Sequence, residues 1–132
     1  MEFGIGVRFL EDVKILPQDE PVRLDPDRLS VLYEQLGEAG AEDVVCRAME
    51  ELALRLSMTE RLYRQDRHEE MRKAARSLAG IADQVGMNSL CRVSRDVTEC
   101  IDTGNEVALA AVLSRLLRIG ERSLMEVWDM QG

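Results

Sequence analysis

Residues 71–85 read MRKAARSLAGIADQV, and the spacing of their apolar members decides the fold class. Advancing about 100° per residue from Met71 places Met71, Ala74, Ala75, Leu78, Ile81, Ala82 and Val85 within one sector of roughly 120°. Opposite that sector fall Arg72, Arg76, Gly80 and Asp83, with Lys73 and Ala79 at the flanks. The stretch is therefore an amphipathic helix with a complete apolar stripe, and Arg76 stands near the middle of its solvent face. Glycine inside a helix costs about 1 kcal/mol relative to alanine, so Gly80 on an exposed face asks for a reason. Close approach by a partner is one; a tolerated glycine or a helix crossing is another.

The same periodicity continues on both sides. Asp66 with Glu69 three residues on resembles a capping box and opens this helix, which reaches Val85 before Gly86 ends it. Upstream, Asp25-Pro26 pairs a capping side chain with proline at the first helical position, and Gly37 and Gly40 stop the short helix that follows. A longer helix runs from about Ala41 to Arg61 on Val45, Met49, Leu52 and Leu56. Downstream, a helix from Asn88-Ser89 carries Leu90, Val93, Val97 and Ile101 on one stripe. Asn105 then caps a last helix that turns Leu109, Leu113, Leu116, Leu124 and Val127 inward. Four long amphipathic helices with short connections predict an all-α, antiparallel up-down four-helix bundle, with the Asp25 helix as a short additional element. Residues 1–20 alternate at period two through Phe3, Ile5, Val7, Phe9, Val13 and Ile15, as in an arm or hairpin. The organisation expected is an arm over 1–20 and a bundle over 21–132.

Composition bounds the function. A chain of 132 residues is of single-domain size, and 17 Lys and Arg against 25 Asp and Glu leave a net charge of −8. That charge opposes tracking a polyanion, so nucleic acid is not an expected partner. No apolar run approaches the roughly 20 residues needed to span a bilayer, and the first residues lack the features of a signal peptide, which points to a cytoplasmic protein without a membrane partner. Cys46, Cys91 and Cys100 are expected as buried or half-buried small residues in a reducing compartment. Cys91 and Cys100 are nine apart, about 180° round a helix, and His68 is the only histidine. No metal site and no cofactor is expected. Nothing sets two carboxylates around a pocket with a nucleophile, so no enzymatic activity is expected either.

From Ala75 to Gly86 the chain reads A-R-S-L-A-G-I-A-D-Q-V-G. This resembles the histidine-containing phosphotransfer (HPt) domain, whose motif is approximately A-H-S-L-K-G-S-x-x-x-L-G. The resemblance rests on Ser77, Leu78, Gly80 and Gly86 in register. It extends from about Val22 to Trp128, with Leu24-Asp25 and Leu36-Gly37 similar to the family's opening helix, and Asp66 and Asn105 where two other helices start. It implies a four-helix bundle that exchanges phosphoryl groups with aspartates on response-regulator receiver domains.

Two departures alter that implication. Arg76 holds the place of the phospho-accepting histidine, and Ala79 that of a lysine that helps balance phosphoryl charge. A guanidinium stays protonated near neutral pH and has no imidazole lone pair for attack on phosphorus. The expectation is a degenerate family member with no catalytic residue, docking a receiver domain or histidine kinase through Arg72, Lys73, Arg76, Ala79, Gly80 and Asp83. It would modulate a two-component phosphorelay without carrying phosphate. The alternatives are an active phosphocarrier using His68, and a structural module that forms a homodimer through the N-terminal arm. For the basic spot itself, the competing reading is a solvated helix face with Glu69 and Lys73 paired.

Overall fold

Asp25 accepts a hydrogen bond from the backbone N–H of Asp27 (3.0 Å) and Pro26 takes the first helical position, so the chain enters its first helix as the sequence predicts. The computed structural model describes residues 24–131. Its helices are α1 (Pro26–Arg64), α2 (His68–Gln84), α3 (Asn88–Thr103) and α4 (Glu106–Gln131). Each packs on the next and α4 returns to α1, which gives the antiparallel four-helix bundle. The arm or hairpin expected for residues 1–20 lies outside the described residues. The only bridge outside the helices among them joins Leu24 to Met87.

The short additional N-terminal helix runs into the longer one without a loop, and a kink at Gly37, the first expected stop, marks the boundary between them. Helical structure runs from Pro26 to Arg64, and inside it only Gly37 departs, at φ +77° and ψ 172°. A single residue in that region redirects the chain at little cost when it is glycine, and helical conformation resumes at once. Gly40, the second expected stop, lies within the continuing helix.

The three inter-helix turns end alike. Arg67 N–H donates to Leu62 O and Asp66 N–H to Tyr63 O; Met87 N–H donates to Ala82 O and Gly86 N–H to Asp83 O; Asn105 N–H donates to Cys100 O and Gly104 N–H to Ile101 O. In each, a left-handed residue closes the helix: Asp66 (φ 60°), Gly86 (φ 78°) and Gly104 (φ 69°). This corrects the capping box expected at Asp66–Glu69. Asp66 terminates α1, where aspartate tolerates positive φ, and Arg67 occupies the α2 cap position without a side-chain cap bond. Asn105 does cap α4, accepting from Ala108 N–H at 3.0 Å.

The core is one cluster drawn from all four helices, with Leu52, Leu56, Met71, Leu78, Leu90, Leu109 and Leu116 fully buried. α1 and α4 pack tightly at Gly120, where a Cβ would stand 2.6 Å from Leu56 Cδ1. Among the described residues no helix is long and apolar enough to cross a membrane. Cys91 is buried and Cys100 half-buried, but Cys46 is exposed, contrary to expectation, because it lies off the Val45, Ala48 and Leu52 stripe of α1.

Candidate functional site

Helix α2 lies between α1 and α3, and its two flanks are packed differently. Met71, Ala74, Ala75, Leu78, Ala79 and Ala82 are buried, whereas Ile81 is only partly covered. On the helix wheel, Ala75, Ala79 and Ala82 lie on the same side as Arg72, which bonds to α3. The row of small side chains lets α3 approach closely enough to cover Ala79, 5% exposed. Ala79 therefore belongs to the packing of α2 on α3 and leaves the face on which the sequence placed it.

The remaining residues of that face stay together and fall into two pinned ends and an open middle. At one end, Arg72 Nε donates to Asp102 Oδ1 of α3 at 2.6 Å and its Nη2 to Oδ2 at 3.3 Å. This hydrogen bond holds the Asp102 carboxyl below its ordinary range, helped by the charges of Arg72 and nearby Arg76, and it raises the Arg72 guanidinium in turn. At the other end, Arg28 from the first turn of α1 reaches Asp83, with Nη2 donating to the carboxylate at 3.0 Å and to the Asp83 carbonyl oxygen at 2.8 Å. Exposed ion pairs contribute at most about 1 kcal/mol, so their main effect is to fix the two ends of the face.

Between these ends, Arg76 and Gly80 are exposed. A Cβ built on Gly80 meets nothing within 4 Å, which removes the helix-crossing explanation for this glycine. Among the described residues Arg76 and Lys73 have no ion pair or side-chain hydrogen bond, and Glu69 and Lys73 do not pair. The antiparallel register sets Arg72 beside Asp102, and the charges of Asp83, Arg28 and Arg95 all act on the Cys91 thiol. Arg76 and Gly80 thus lie alongside the Arg95–Thr98 stretch of α3, and Arg95 is exposed. Burial pushes the Cys91 thiol up from its ordinary value, with Asp83 adding to this and the two arginines opposing it. A buried, weakly acidic thiol under this seam is packing, not a nucleophile.

Arg28, Arg95 and Asp102 were not singled out from the sequence. No local pattern marks Asp102 as a partner of Arg72; the antiparallel packing of α3 on α2 brings them together.

His68 sits away from this face, at the opposite end of α2 from Asp83. Its Nδ1 stands 3.3 Å from Asp66 Oδ1 and its Nε2 3.1 Å from Glu106 Oε2, so both ring nitrogens are turned toward carboxylates. Its side chain is 24% exposed. Among the described residues no group of three His, Cys, Asp or Glu side chains could hold a metal ion.

The open middle is suited to recognising carboxylates. A guanidinium presents planar paired donors to a carboxylate, and a neighbouring residue without a side chain leaves room for the partner's backbone. No protein-family model, no curated protein and no solved structure matches this chain.

Proposed function

We propose that this protein is a docking module of the HPt type that has lost phosphotransfer: it binds a response-regulator receiver domain, or the histidine kinase that serves one, and modulates the relay without carrying phosphate. The observation that carries the reading is the open centre of the α2 face, where exposed, unpaired Arg76 stands one turn from Gly80 with nothing within 4 Å of that glycine. The resemblance implies an acidic phosphorylation pocket on the receiver. Arg76 enters it as a cation, where a phosphohistidine would enter as an anion. Charge-assisted hydrogen bonds of this kind set orientation and association rate more than raw affinity. Lys73 and Arg95 extend the positive potential on a protein whose net charge is −8, and Arg72 and Asp83 hold the edges of the face through Asp102 and Arg28.

The alternative of phosphate carriage on His68 is disfavoured by charge. A phosphoryl group on either ring nitrogen would be placed against Asp66 or Glu106.

Calorimetric titration against receiver domains from the same cell tests the proposal, with Arg76→Ala and Gly80→Arg as the two variants. Loss of about tenfold or more in affinity for each is expected, equivalent to about 1.4 kcal/mol. Unchanged binding by both variants would remove the docking face from α2. Incubation with a phosphorylated receiver should leave no acid-labile phosphate on the protein. Label that disappears in His68→Gln and persists in Arg76→Ala would instead establish phosphate carriage.

A further inference from the structure

On the far side of the bundle from that face, α1 and α4 separate beyond their close contact at Gly120 and Leu56 and leave an apolar groove. Met49 and Ala53 of α1 and Leu124, Met125 and Trp128 of α4 line it, with Glu50 and Asp129 at its rim, and its volume is about 410 Å³. Met125 is 60% and Trp128 65% exposed, although Leu109, Leu113, Leu116 and Val127 of the same helix are buried. Such a contiguous apolar patch with a polar rim marks a surface that is covered by something.

We propose that the occupant is residues 3–10 of the same chain, FGIGVRFL. Three observations favour this segment. It is the most apolar part of the sequence that precedes Leu24, with Phe3, Ile5, Val7, Phe9 and Leu10 supplying side chains suited to a groove floored by methionine and tryptophan. Its one charge is Arg8, and the groove's rim is acidic on both helices, through Glu50 of α1 and Asp129 of α4. A segment with acidic residues, such as Glu11-Asp12 next to it, would be repelled there.

The third observation is reach. Leu24 is held at Met87 by a backbone bridge, and Met49 stands 23 residues along α1 from Pro26, which is at most about 35 Å for a straight helix. Residues 11–23 connect Leu10 to Leu24 and span up to about 46 Å when extended. Being tethered, the segment is presented to the groove at an effective concentration of order millimolar, so even a weak contact is occupied. A second copy of the chain has no such advantage, and it would bring the same acidic rim against its own.

Trp128, the only tryptophan, reports directly on occupancy. The experiment compares acrylamide quenching and emission maximum of the full-length chain with a Phe3→Asp, Phe9→Asp double variant, with circular dichroism to verify that both are helical. In the unmodified chain the indole should emit to the blue of a solvated tryptophan. In the double variant the emission should move to the red and the quenching constant should rise about twofold or more, as the ring becomes exposed. Reversing the rim with Glu50→Lys and Asp129→Lys should shift quenching in the same direction by repelling Arg8. A solvated emission maximum in the unmodified chain overturns the proposal by itself, without any variant. So does identical quenching in the chain and the double variant. Quenching that falls as protein concentration rises, with light scattering giving twice the monomer mass, would assign the groove to a second copy instead.

Discussion

Gly80→Ala separates the cost of a residue from its use. The position is helical, exposed, and has nothing within 4 Å of a built Cβ, so alanine there adds no contact and meets no clash. Only the backbone term remains. Replacing glycine by alanine inside a helix is worth about 1 kcal/mol, and no burial or cavity contribution modifies it here. With an m-value of about 2 kcal/mol/M for a chain of this size, the urea midpoint should rise by about 0.5 M at unchanged m. The melting temperature should rise by about 4 °C. Gly80→Arg should gain less, because the new charge stands four residues from Arg76 and like charges at that spacing cost about 0.2–0.5 kcal/mol. Urea unfolding followed by helical circular dichroism, run beside the receiver titration, measures both quantities on the same samples. The expected pairing is higher stability with weaker docking, which is the signature of a residue held for function at the expense of stability. A neutral or destabilised Gly80→Ala would refute the reasoning, since it would require a constraint at Gly80 that its surroundings do not contain. A stabilised variant with unaltered docking would leave the backbone argument intact and remove the functional one.

Gly120→Ala should behave in the opposite way: its Cβ would stand 2.6 Å and 2.8 Å from the two methyl carbons of fully buried Leu56, and overpacking of this kind costs about 1–3 kcal/mol. Thermal unfolding should show that loss, and adding Leu56→Ala should cost less in the Gly120→Ala background than alone; additive costs would mean that the two helices do not meet there. The pH dependence of stability should carry two contributions of opposite sign. The Asp102 carboxyl, held low by Arg72, supports the fold above its ordinary value of 3.8 and loses that support as pH falls through its folded value, so Asp102→Asn should flatten the acid limb of the stability curve. Burial raises Glu121 above its ordinary 4.5, so its contribution is present below that value and is lost as pH rises through the folded one; Glu121→Gln should therefore be stabilising at about pH 7 and not at about pH 3. Urea titrations across the acid range check both, and a Glu121→Gln variant with no gain at neutral pH would contradict the burial argument.

What could be read from the sequence is what depends on neighbours along the chain. The caps at Asp25 and Asn105, the stop at Gly86 and the apolar stripes of all four helices follow from local patterns and reappear in the fold. Where two local signals compete, the reading fails. Asp66 satisfies the spacing of a capping box and also tolerates left-handed backbone, and the closure of α1 claims it first. Ala79 lies at the edge of the stripe on a wheel, and only the closeness of α3 decides that it is covered. The two ion pairs that fix the candidate face are further out of reach, because Arg28 and Asp83 are 55 residues apart and Arg72 and Asp102 are 30 apart. No periodicity along one helix encodes a partner on another. The exposed pair Arg76 and Gly80 was legible for the converse reason: it makes no long-range hydrogen bond or ion pair, so local position determines its exposure.

The entry of the chain into α1 has a bearing on how the protein opens. Asp25 N–H donates to Gly86 O at 2.8 Å, a Cβ on Gly86 would stand 2.9 Å from Asp25 O, and Arg28 bonds the last turn of α2. Residues 24–28 and 83–87 are therefore tied together from two distant stretches of sequence, and their amide hydrogens should exchange together. Fraying cannot begin at this end of α1 without also releasing the last turn of α2. Mechanical load entering at Leu24 thus arrives first at Met87 and Gly86, the turn that closes α2.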